Sequence, residues 1–144
     1  MDDCVFCRIV RGEIPASVVH EDAHTLVIMD IGQVNPGHAL VLTKAHVQDI
    51  YGLDDALAGA VFRTTARIAR ATKRAMAADG VTILQANEPA GFQTVMHFHV
   101  HVLPRRQYDG VELVWPARHP PKDALDRAAG ALRSALAQDD GTTS

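Results

Sequence analysis

Three of the eight histidines in this 144-residue chain, His97, His99 and His101, alternate with Phe98, Val100 and Val102 in the run HFHVHVLP. Successive side chains of a strand point to opposite faces. The spacing therefore predicts three imidazoles on one face of a strand over 96–103, with the apolar residues anchoring the other face in a core. A strand with a merely polar outer face would ordinarily use Thr, Lys, Glu or Ser at those positions.

Imidazoles titrating near neutral pH offer two chemistries here: a metal site, or nucleophilic and acid–base catalysis without a metal. Alternate strand residues lie roughly 6.6 Å apart, so the outer Cα atoms of the row are about 13 Å apart. Zinc needs each nitrogen at about 2.0–2.1 Å. Two neighbours can reach one ion, but gathering all three crowds the middle one. A division of labour follows, with His99 at the reacting centre and its neighbours in support. Histidine is also a nucleophile toward phosphorus when a hydrogen bond fixes its neutral tautomer, and it then needs donors for the phosphate. The segment from Asn87 to Thr94, NEPAGFQT, supplies amides and a hydroxyl around Gly91, although these are ordinary turn residues too. His38 follows Pro36 and Gly37 and reads by itself as a turn histidine.

The elements that must position these groups are legible in outline. Strands are predicted from Ser17 to Glu21, Thr25 to Asp30, Ala39 to Thr43, Val81 to Ala86 and Met96 to Leu103. A long helix is predicted from about Asp54 to Ala78, with Asp54 as start signal and Gly80 as stop. Its outer face carries Arg63, Arg67, Arg70 and Arg74. Without interleaved aromatics or a basic excess, that stripe reads as a solvated face and not as a nucleic-acid surface. A second helix is predicted from about Asp123 to Ala137, on a stripe of Leu125, Ala128, Leu132 and Leu136. Strands gathered in one sheet with helices largely segregated in sequence read as an α+β fold. One domain over 1–138 is expected, with 139–144 as a frayed polar tail.

A net charge of -3 with mixed signs suggests neither a nucleic-acid partner nor a membrane partner. The start Met1-Asp2-Asp3-Cys4 lacks the positive and apolar regions of a signal peptide, which predicts a cytoplasmic protein. In that compartment Cys4 and Cys7 stay reduced, so their C-x-x-C reads as thiols or metal ligands and not as a disulfide.

The run from Gly91 to Pro104, GFQTVMHFHVHVLP, resembles the signature of the histidine triad (HIT) family, His-x-His-x-His followed by apolar residues. The resemblance extends to CVFCRIVRGEIPASVVHED from Cys4 to Asp22, to Met29-Asp30-Ile31, to Pro36-Gly37-His38 and to LVLTKAH from Leu40 to His46, all similar to the Hint-like branch. It covers about residues 4–116. It implies a five-stranded antiparallel sheet with one long helix and a C-terminal helix, paired as a homodimer.

The function implied is that of a nucleotidyl hydrolase or transferase acting at the α-phosphate of a purine nucleotide derivative, releasing AMP or GMP. The substrate would be a phosphoramidate, an adenylate adduct or a dinucleoside polyphosphate. His99 would attack phosphorus, and His101 would bind the phosphate and help move the proton. His38 and His97 would hold His99 in its reactive orientation. Asp30 would face the ribose hydroxyls, and Phe6, Ile9, Ile14, Leu26 and Ile28 would line the base pocket. Asn87, Gln93 and Thr94 would serve as phosphate-side donors. Two departures affect the leaving-group end: the stretch between Asn87 and Gln93 is one residue shorter than in typical Hint-like proteins, and Phe92 stands where glycine is usual.

Cys4 and Cys7 with His46 and His97 would complete a Cys₂His₂ set, the closed four-ligand arrangement of a structural zinc. The galactose-1-phosphate uridylyltransferases, a related branch, are similar in having a C-x-x-C and in placing the histidine two before the nucleophile on a metal. No organic cofactor is implied. Two other readings stand beside the hydrolase: a nucleotide-binding regulatory module with little turnover, and a hydrolase using the triad itself as a zinc site. Trp115 is a candidate to reach a partner subunit's site, with a core or flap role equally open.

Overall fold

The structure, a computed structural model, describes residues 3–140. Its described residues fall into two compact units that divide between Val111 and Glu112.

In the first unit the chain opens with a short helix, α1 (Val5–Val10), which sequence periodicity did not reveal because six residues are too few to show it. The Cys4 sulfur accepts the Cys7 N–H at its start, and Phe6 and Cys7 are its buried residues. Five strands follow: β1 (Val18–Glu21), β2 (Thr25–Met29), β3 (Ala39–Thr43), β4 (Gly80–Leu84) and β5 (His99–Arg105). They form one antiparallel sheet in the order β1-β2-β3-β5-β4. This is the α+β, five-stranded architecture expected.

Both faces of the central strands are covered. Val27, Val41, Val100, Val102 and Phe98 pack with Val61 and Ile68 of the long helix α2 (Asp55–Ala75) in one core, and Leu26, Ile28, Leu40 and Leu42 pack with Phe6 in the other. Fully burying such a side chain stabilises by about 1.5–3 kcal/mol. The register Leu42↔His99 and Leu40↔His101 puts both histidines on the Phe6 side.

Four of the boundaries differ from expectation. Strand β5 starts at His99 and not at Met96, because the Phe98 N–H donates to the Val47 carbonyl at 2.6 Å and ends the ladder there. His97 therefore precedes the strand, and the row is not three equivalent positions on it. Asp54 caps α2 by accepting the Leu57 N–H at 2.7 Å, so the helix proper begins one residue later. It ends at Ala75, three residues before the predicted limit, because Ala77 adopts φ 47°. Strand β4 stops at Leu84 instead of Ala86.

The second unit holds α3 (Lys122–Asp140), longer than predicted at both ends. It is laced by the ion pairs Lys122–Asp126 and Arg127–Asp123, and Leu125, Leu132 and Leu136 are exposed. Asp139 and Asp140 of the expected tail are helical, and 141–144 lie outside the described residues. No described helix is long and apolar enough to cross a membrane.

Candidate active site

Each histidine of the row enters a different environment. His97 is fully buried, and its Nε2–H donates to the Thr43 carbonyl at 2.7 Å. In the neutral ring that leaves Nδ1 as a bare lone pair. It points at three further ligand atoms: Cys4 Sγ at 3.4 Å, Cys7 Sγ at 3.5 Å and His46 Nδ1 at 3.2 Å, with Cys7 Sγ also 3.2 Å from His46 Nδ1. Zinc bonds of about 2.0–2.1 Å to nitrogen and 2.3 Å to sulfur define a tetrahedron with edges of about 3.3–3.5 Å for N–N and N–S pairs. The donor set fits that ion in type, number and spacing, and the Thr43 carbonyl provides the outer hydrogen bond that orients a metal-bound imidazole.

His99 is buried beside Phe6, whose ring meets it edge-on at 5.1 Å. Its Nδ1 lies 2.7 Å from the His97 carbonyl oxygen. A carbonyl can only accept, so Nδ1 carries the proton and Nε2 keeps its lone pair. Burial pushes the His99 pKa below the ordinary histidine value, outweighing the hydrogen bond and the Asp30 charge, which act in the opposite direction. The ring is a neutral imidazole of fixed tautomer, the form a nucleophile requires.

His101 belongs to a second chain of bonds. The Val34 N–H donates to His38 Nδ1 at 3.2 Å, which places the neutral His38 proton on Nε2. His38 Nε2 lies 2.9 Å from His101 Nδ1 and 3.4 Å from Asp30 Oδ2. His101 Nδ1 thus accepts, and its Nε2–H is presented as a donor. Burial, then the neighbouring His99 and His38 rings, lower the His101 pKa to about 4 against the opposing Asp30 charge. Burial also lowers the His38 pKa, again against Asp30. Asp30, His38 and His101 lie close enough to suggest a metal site. A metal on His38 Nε2 would force a proton onto Nδ1, against the Val34 N–H, so this group suits proton handling better.

Gln33, a residue no sequence motif singled out, fastens this chain. Its Nε2 donates to the carbonyls of Asp30 and His38, and its Oε1 accepts the N–H groups of Gly37 and His38. Gly37 sits at φ +100°, where a Cβ would meet Met76 Cγ at 2.6 Å, so glycine is required at the turn into β3.

These groups border a cleft of ≈ 600 Å³ lined by Phe6, Ile9, Ile14, Ile28, Asp30, Gln33, Thr94, His99 and His101 among others. An apolar cleft with a few convergent polar groups is the usual form of a small-molecule site. Leu26, the remaining base-pocket candidate, is buried beside Phe6 in the core and does not line it. His38 stands behind His101, and His97 behind His99. Asn87 and Gln93 are placed elsewhere. Gln93 donates to the carbonyls of Gln48 and Val95 and accepts the Glu88 N–H, while Asn87 exchanges hydrogen bonds with Gln85 and accepts the Ile50 N–H. Both brace the loop instead of lining the cleft. Phe92 is exposed, with φ 70°.

Comparison with known proteins places this geometry among relatives. The family model described as "HIT domain" matches residues 11–108. The adenosine 5'-monophosphoramidase HNT1 of Saccharomyces cerevisiae is 32% identical over 126 residues, 86% of this chain and 77% of its own. The adenylylsulfatase HINT3 of Arabidopsis thaliana is 32% identical over 139 residues, 94% of this chain and 68% of its own. A zinc-bound histidine triad family protein of Mycobacterium smegmatis superposes with a TM-score of 0.74 at 38% identity, covering 97% of each chain.

Proposed function

Because this chain belongs to the HIT domain family, whose relatives named above act as nucleotide hydrolases, we propose that it cleaves the α-phosphate bond of a purine nucleotide derivative through a nucleotidyl intermediate on His99. The observation that carries this reading is the pair of opposed tautomers: His99 offers a lone pair at Nε2, and His101 offers a proton at Nε2, both at the same cleft.

In the first step the His99 Nε2 pair forms a bond to phosphorus as the bond to the leaving group breaks. The leaving atom takes the bonding pair, and the His101 Nε2–H hydrogen-bonds the developing charge. In the second, a water oxygen bonds to phosphorus and the pair of the broken P–N bond returns to His99. The departed leaving group takes its proton from solvent and the attacking water gives one up to solvent, so the protons balance over the cycle and His101 ends as it began. Asp30 suits the ribose diol with its carboxylate, and the apolar wall of Phe6, Ile9, Ile14 and Ile28 suits the base. The donor named for phosphate that remains at the cleft is Thr94. A phosphoramidate, an adenylate adduct or a dinucleoside polyphosphate would meet these requirements, with AMP or GMP released.

Cys4, Cys7, His46 and His97 would hold a structural zinc. When bound, the ion would cross-link α1 to the segment before β5 and hold the His97 backbone, with no part in bond making. A second copy of the chain is the proposed partner. The edge strand β4 exposes Ile83 and Leu84, and a cavity of ≈ 210 Å³ beside it is lined by Phe62, Ile50 and Leu53. A reducing cytoplasm suits the paired thiols.

Wild type and His99→Ala, incubated with adenosine phosphoramidate and diadenosine polyphosphates, test the reading. AMP is expected from wild type alone. Equal release by both proteins removes His99 from the nucleophile role, and absence of release by wild type favours a binding module.

A further inference from the structure

Away from the cleft, a furrow of ≈ 380 Å³ runs between β1 and α2, walled by Val19, Thr64 and Ile68 and rimmed by Arg67, Arg70 and Arg74. With Arg63, these arginines recur at i, i+4, i+7 and i+11, on one face of the helix. None of the four guanidinium groups has a hydrogen-bond or ion-pair partner among the described residues.

A solvated helix face is ordinarily laced with acids, as α3 is by its two i,i+4 ion pairs. Helix α2 has no Asp or Glu from Ala56 to Ala75. Its arginines repel one another at i,i+3 and i,i+4, a destabilising arrangement. Lys73 and Arg74 suit the negative end of the helix dipole, but Arg63 and Arg67 lie too far from it to benefit. Nor does overall basicity account for the stripe, since the net charge is -3.

Asp22, which follows β1, stays a carboxylate whose oxygens are already occupied. Asp22 accepts from the backbone of His24 and Thr25, from both threonine hydroxyls of Thr25 and Thr64, and from His20 Nε2. The unpaired cations are therefore open to an external anion. His20 is the sole ring in the lining and is engaged with Asp22, so there is no platform on which nucleic-acid bases could stack.

We propose that the furrow binds a linear polyphosphate anion, laid along α2 with its phosphates on Arg67, Arg70 and Arg74. Guanidinium forks suit phosphate oxygens, and the three side chains span about 10 Å of helix at 1.5 Å per residue. The site takes repeated negative charge without bases, which separates it from the nucleotide cleft.

Calorimetric titration of the full chain with inorganic tripolyphosphate and with long-chain polyphosphate tests this. Binding is expected that weakens with added salt, is not displaced by AMP, and falls at least about tenfold in an Arg67→Gln/Arg74→Gln double variant whose AMP release is unchanged. Arg70→Glu should weaken it further. Absence of binding, unchanged affinity in both variants, displacement by AMP, or tighter binding of oligothymidylate than of polyphosphate would overturn the proposal.

Discussion

The backbone carbonyl of His97 holds the Nδ1–H of His99 at 2.7 Å, while the side chain of His97 faces Cys4, Cys7 and His46. One residue thus joins the four-ligand cluster to the proposed nucleophile without lining the cleft. Cys4→Ser is expected to weaken zinc binding by about a hundredfold or more and to lower kcat several-fold with KM nearly unchanged. Metal analysis and steady-state kinetics check this. A metal-free wild type with full activity would remove zinc from the account.

The His101 pKa sets the low-pH behaviour. A histidine at its ordinary value would protonate near pH 6.5, whereas burial and its histidine neighbours hold His101 neutral down to about 4. Between those values the unfolded chain binds the extra proton, so this group's contribution to stability rises with pH from about 4 to 6.5 and is lost on acidification. His101→Gln should flatten that part of the thermal-unfolding profile and lower kcat by about 10²–10⁴-fold. Identical stability profiles for the two proteins would contradict the depressed value.

Gln33 makes four hydrogen bonds to the backbone of the turn that carries Asp30 and His38. Gln33→Leu removes the side-chain partner of the Gly37 N–H and the Asp30 carbonyl, while His38 keeps its backbone bonds to Asn35 and Asp30, at a cost of about 1–3 kcal/mol. A loss in kcat should accompany the fall in Tm, and Gln33→Glu should restore only the two bonds accepted by Oε1. A variant that loses stability but keeps kcat would limit Gln33 to a structural role.

Asp109 anchors the turn after β5. It accepts from the Arg105 guanidinium, from the Val111 and Arg106 N–H groups and from Asn35, and these bonds hold its carboxyl well below the usual carboxylate range. A depressed carboxylate stabilises above its unfolded pKa, near 3.9, and that stability is lost as pH falls through the folded value. Asp109→Asn should therefore lower Tm at pH 7 and narrow the gap to wild type below about pH 4. Chemical denaturation at both pH values checks the sign.

The fold could be read from local pattern, because alternation in β5 reports burial directly, whereas the roles proposed for His99 and His101 rest on family resemblance. His97 escaped that logic. Its departure from the strand depends on Val47 capturing the Phe98 N–H, a contact across 51 positions that no short window contains. Asn87 and Gln93 have the residue types of phosphate donors, but the same amides serve equally to brace a loop, and only their neighbours decide between the roles. Gln33 was missed for the converse reason, a polar turn residue whose importance comes from the four backbone groups around it. The cluster of Cys4, Cys7, His46 and His97 joins residues up to 93 positions apart, so family resemblance and not spacing brought its histidines to notice.

The central claim is that phosphorus is carried on His99. Wild type quenched in acid-free conditions during turnover of adenosine phosphoramidate, then digested and mapped by mass spectrometry, measures this most directly. The account predicts a nucleotidyl adduct on the peptide containing His99, localised to that residue, formed fast enough to be an intermediate and absent from His99→Ala. An adduct on another residue, or turnover with none detectable when hydrolysis is slowed by His101→Gln, would contradict it.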